Sequence, residues 1–135
     1  MSHLSTGTVT ITDIDCLKTA CAKNGCKLEK ASTFRSYNTS NCEHRIVVPG
    51  FTYNIGVVKE KGGFKLSFDN YLDGEYMDQK VTALQKSYNQ ALVTKQAKLH
   101  GYGVTCKTLD NGEIRMMLTP STIQTYNYQA ISSKK

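Results

Sequence analysis

In the stretch NCEHR, Cys42 and His44 stand two residues apart, the separation that puts two side chains on one face of a strand. A thiol beside an imidazole is the start of a nucleophilic site, the imidazole taking the proton and the thiolate attacking. Such a site also needs a group to orient the imidazole and donors for an oxyanion, and no glycine-rich oxyanion loop accompanies this pair. A second candidate is DNYLDGE, in which Asp69, Asp73 and Gly74 fall on positions of a calcium loop. Tyr71 and Lys80 stand where that loop requires an oxygen ligand and a bidentate glutamate, so the pattern fails, and the acids suit the start of a following helix instead.

Cys16, Cys21, Cys26, Cys42 and Cys106 are an odd number with no C-x-x-C spacing, and on a helix the first two diverge rather than converge as ligands. They read as small hydrophobes. No phosphate-cradling glycine loop, zinc-helix motif or serine elbow occurs, so no metal or cofactor is implied. The Asn38-Thr39-Ser40 acceptor pattern for glycosylation has no secretory signal to make it relevant.

The remaining chemistry is cationic. Net charge is +6 and the pI about 9.1, which suits an acidic partner, although no block of five or six like charges appears. Arg35, Arg45, Lys59, Lys61 and Lys65, with Tyr37 and Tyr53 among them, are the residues that could neutralise phosphates and stack on bases.

These residues must be carried by particular elements. TVTIT, residues 8–12, alternates as a half-buried strand. Ile14, Leu17, Ala20 and Cys21 recur at helical spacing, with Thr12 and Asp15 as a weak capping pair and Asn24-Gly25 as the stop. A short strand begins at Cys26 and Leu28, residues 32–43 show no period and read as a loop or irregular edge, and HRIVVPG is a strand ended by Pro49-Gly50. Phe51, Tyr53, Ile55 and Val57 then share one face, as do Phe64, Leu66 and Phe68 beyond the tip Lys61-Gly62-Gly63, which makes a hairpin whose lysines project from the tip and opposite face. Met77, Val81, Leu84, Tyr88, Ala91, Leu92 and Leu99 mark a long helix closed by Gly101. Val104 and Cys106 alternate against Ile114, Met116 and Leu118 across Asp110-Asn111-Gly112, a second hairpin.

Strands joined by short turns pair antiparallel, and their apolar faces need a cover. The expected fold is α+β: a single, mostly antiparallel sheet covered on one face by a short N-terminal helix and a long helix, in the order β-α-β-β-β-β-α-β-β. Residues 1–120 form one domain and 121–135 a polar tail, with Tyr126 and Tyr128 available to dock back. No segment is apolar enough to span a membrane.

Three stretches together resemble an uncharacterised family of hypothetical chloroplast reading frames, found in plastid genomes and cyanobacteria with relatives in other bacteria and phages. They are MSHLST with the helix DIDCLKTACAKNG, the strand YNIGVV, and LHGYGV followed by NGEIRMML. The resemblance covers most of residues 1–118. Family members commonly carry a tryptophan after the central hairpin and a Tyr-x-Tyr-His segment in the long helix; here there is no tryptophan, and of SYNQA only Tyr88 matches. The resemblance implies a fold and supplies no catalytic residues.

The leading functional expectation is a non-catalytic accessory protein that binds a macromolecular partner, a protein before a nucleic acid, through the exposed face and rims of its sheet. It would act in the cytoplasm, the plastid stroma, or an infected cell or virion. The alternatives are a polyanion binder centred on the basic hairpin tip and a thiol enzyme using Cys42 and His44.

Overall fold

A computed structural model describes residues 4–120. The chain divides into two compact units, Met1–Tyr88 and Asn89–Lys135. The expected tail, with Tyr126 and Tyr128, lies outside the described residues.

In the first unit, β1 (Ser5–Thr6) leads through an extended segment to α1 (Ile14–Lys23), followed by β2 (Lys27–Lys30), β3 (Thr33–Arg35), β4 (Thr39–Asn41), β5 (His44–Val47), β6 (Ile55–Glu60) and β7 (Gly63–Phe68). The helix α2 (Glu75–Leu99) contributes its residues up to Tyr88. Five strands form one sheet in the order β1-β7-β6-β5-β2, antiparallel at every step. The α+β class and the two helices are as the sequence indicated.

One face of this sheet is the helix-covered core. Pairing places Ile46 against Ile55 and Val57 against Leu66, all four buried completely. From the helices, Leu17, Ala20 and Cys21 of α1 and Met77, Val81, Leu84 and Tyr88 of α2 are buried at helical spacing. Polar contacts fasten the same layer. The Tyr88 hydroxyl accepts from the backbone N–H of Thr12 at 2.9 Å and of Asp13 at 3.2 Å, and Gln85 Oε1 accepts from Val9 N–H at 3.1 Å. Asn24 Nδ2 donates to Ser87 Oγ at 3.0 Å, tying the end of α1 to α2.

Three local expectations are corrected. The strand expected at residues 8–12 is an isolated bridge between Ile11 and Phe64, the paired strand being β1. Gly63, at φ 155°, is why the bridge closes: a Cβ there would lie 2.4 Å from the Ile11 carbonyl oxygen. The cap of α1 is Asp13, whose carboxylate accepts from Cys16 N–H at 3.1 Å, in place of Thr12. Residues 32–43 contain a hairpin, β3–β4, turned by Ser36-Tyr37-Asn38. Its Phe34 is 1% exposed and covers Gly56 on the second face of the sheet; a Cβ on Gly56 would meet the Phe34 ring at 2.3 Å. The sheet is therefore covered on both faces, by helices on one and by a two-stranded flap on the other.

In the second unit, β8 (Tyr102–Thr108) and β9 (Ile114–Pro120) pair only with each other over seven residue pairs, so the expected single sheet is three sheets among the described residues. Register puts Tyr102, Val104, Cys106, Ile114, Met116 and Leu118 on one face and Thr105, Lys107, Arg115 and Thr119 on the other. Ala97 of α2 is buried here, while Leu99 is 71% exposed. No described helix is long and apolar enough to cross a membrane.

Candidate binding cleft

The β3–β4 flap does more than roof Gly56. Its outer rim and the segment entering β6 enclose an open cleft of about 440 Å³ lined by Thr33, Phe34, Arg35, Thr39, Arg45, Val47, Thr52 and Asn54. Two of the five expected cationic residues, Arg35 and Arg45, thus meet in one concavity although they lie on different sheets. Among the described residues the lining holds two guanidiniums and no carboxylate, although Glu29 is bonded to one of them.

Each arginine is placed by a specific bond. Arg35 is locked through its backbone: its N–H donates to Asn54 Oδ1 at 3.0 Å and its carbonyl accepts from Asn54 N–H at 2.9 Å, so the exposed side chain projects from a fixed base. Arg45 is held by its side chain. Nε donates to Glu29 Oε2 at 2.7 Å and Nη1 to the Thr33 carbonyl at 3.3 Å. Glu29 is also 3.9 Å from Lys27 Nζ. These pairs are partly exposed, and their value is orientation more than stability.

Beyond Arg35, the hairpin tip presents Tyr37. Asp69, buried at the end of β7, accepts from Tyr37 N–H through Oδ2 at 3.0 Å and from Tyr71 N–H through Oδ1 at 2.9 Å. One carboxylate thus clamps two loops. It sets the rings of Tyr37 and Tyr71 edge to face, with centroids 5.7 Å apart and planes at 87°, yet both side chains remain more than half exposed. Asp69 therefore spends its oxygens on backbone donors, and among the described residues no cluster of three or more His, Cys, Asp or Glu is placed to hold a metal.

The three lysines do not join this site. Lys59 pairs across the hairpin with Phe64 and Lys65 with Val58, which places them on opposite faces, and Lys61 stands in the turn. The expectation that all three share the tip and outer face is corrected for Lys59, which shares the Val57 and Leu66 face. The turn begins five residues beyond Gly56, the pairing partner of Arg45, or roughly 16 Å along the strand.

Cys42 and His44 are likewise directed apart. The Cys42 thiol is buried and donates to the Ala31 carbonyl at 3.3 Å; burial pushes its pKa up, with Arg45 pulling it down and Glu43 adding to the rise. The His44 ring packs edge-on against Phe64 at 6.0 Å. A protonated thiol committed to a carbonyl is the opposite of an activated nucleophile.

Sequence reasoning named Arg35, Arg45 and Tyr37 but missed Asp69, which clamps the Tyr37 backbone, and Tyr71 as the second ring. No period marks either, since both reach Tyr37 across more than thirty positions. No family model, no curated protein and no solved structure matches this chain.

Proposed function

We propose that the chain is a non-catalytic accessory protein that binds a protein partner through the β3–β4 flap, with Tyr37 and Tyr71 as anchors and the Arg35–Arg45 cleft beside them. The observation that carries this reading is the clamped pair of exposed tyrosines. Interfaces draw most of their energy from a few aromatic and arginine side chains already held in place, because rings with few torsions lose little entropy on binding. Asp69 supplies that preorganisation from within the fold.

Two observations favour a protein over a nucleic acid. Ring planes at 87° cannot both stack on successive parallel bases. Arg35 and Arg45 share a local cleft, the neighbouring Lys27 is engaged by Glu29, and Lys61 stands apart in the hairpin turn, an arrangement that suits a local contact better than a phosphate backbone.

The test is partner retention from a lysate of the native host by wild type and by the double variant Tyr37→Ala, Tyr71→Ala. Each anchor is expected to contribute about 2 kcal/mol or more, so the double variant loses the partner while its circular dichroism and melting stay unchanged. Retention of the same partner by the folded variant would refute the assignment of the surface.

A further inference from the structure

The geometry points to the Arg35–Arg45 cleft as a receptor for a single phosphoryl group, a phosphomonoester carried by the partner. This inference rests on the flap as the binding surface and names the chemistry it reads there.

The donors decide the ligand class. Asn54 Oδ1 is already taken by the Arg35 N–H, which leaves its Nδ2 donors for the cleft. Among the described residues, the Arg35 guanidinium, Arg45 Nη2 and the hydroxyls of Thr33, Thr39 and Thr52 have no protein hydrogen-bond partner. The cleft is therefore rich in donors and poor in acceptors, and it fits an anion that accepts from several sides.

The arrangement of these donors separates phosphate from carboxylate. A carboxylate is planar and is best met by one guanidinium offering two parallel N–H bonds. Arg45 has given Nε to Glu29 and one Nη1 donor to Thr33, so its side edge is closed to a second carboxylate. The open donors are carried by four separate parts of the chain, β3, β4, β5 and the segment before β6. Three tetrahedrally disposed oxygens use such a set better than two coplanar ones. The two guanidiniums share one concavity, and Lys27, paired across from Val47 of its lining, is engaged by Glu29, which suits one terminal phosphoryl group better than a chain of diesters.

The experiment is an NMR titration of the full chain with N-acetyl-phosphoserine amide, acetate, and a short single-stranded oligonucleotide lacking a terminal phosphate. Phosphoserine is expected to move the Arg35 and Asn54 amides and the arginine Nε signals saturably, and to bind about tenfold or more tighter than acetate. Affinity should rise as pH passes through about 6, where the phosphate takes its second charge. Arg35→Gln, which keeps the backbone bonds to Asn54, should weaken binding about tenfold. Equal binding of acetate, indifference to pH, an unaffected R35Q variant, or tighter binding of the oligonucleotide would each overturn the inference. If phosphoserine fails while the tyrosine variants still lose the partner, the phosphoryl chemistry falls and the docking surface stands. If phosphoserine binds while those variants keep the partner, the cleft stands and the aromatic anchors fall.

Discussion

Two hairpins of similar alternation meet different fates in this molecule. β6–β7 places Ile55, Val57 and Leu66 at zero exposure, whereas β8–β9 leaves Leu118 52% exposed on a face just as apolar in sequence. The first hairpin has strands on both sides, helices over one face and Phe34 over the other. The second has no further strand among the described residues, and two strands alone are marginal in water. Alternation thus announces which residues share a face, while burial is decided by what other elements reach that face. The same holds within α2, where Met77 to Tyr88 is buried at every expected step and Leu99, in the same periodic pattern, is exposed.

The contrast is broken most forcefully at Leu66. Leu66→Ala should cost about 2–5 kcal/mol, read as a lowered urea midpoint. Next, Gly56→Ala should cost about 1–3 kcal/mol because its methyl collides with the Phe34 ring, and adding Phe34→Leu should return part of that loss. Simple additivity in this cycle would mean that the flap does not pack on Gly56. Tyr88→Phe removes the acceptor shared by Thr12 and Asp13 and should also cost about 1–3 kcal/mol, with faster amide exchange at those two residues.

Alkaline pH sharpens the comparison through a buried thiol. Burial, with Cys26 nearby, pushes Cys21 from 9.0 up to about 12. The folded chain therefore keeps this proton where the unfolded chain releases it. The stabilisation is complete below about pH 9 and is lost as pH rises towards 12, and urea midpoints across that window should fall less steeply in Cys21→Ala. The smallest effect belongs to the exposed hairpin: Leu118→Ala should change stability by less than about 0.5 kcal/mol. A cost near that of Leu66→Ala would show that this face is covered in solution.

The α+β class, both helices and both hairpins were legible because each rests on a period of 2 or 3.6 residues. The flap was not, for its single apolar residue, Phe34, gives no period and its register depends on the absence of a side chain at Gly56. In the cleft, the identities of Arg35 and Arg45 were readable as charge, but their convergence needed a hairpin folding back over β5 and β6. Lys59 was misplaced because the glycine turn sets pairing that only the register reveals. Asp69 falls in a calcium-loop pattern that it does not serve, since its donors come from Tyr37 and Tyr71, far apart and close in sequence respectively.

The hydroxyl of Tyr88 reaches two amides that precede it by more than seventy positions. During synthesis the chain leaves the ribosome in order, so the turn into the first helix lacks its acceptor until Tyr88 has emerged. Any fragment ending short of Tyr88 leaves the Thr12 and Asp13 amides without this acceptor, and the N-terminal segment should then acquire protection late and all at once rather than stepwise.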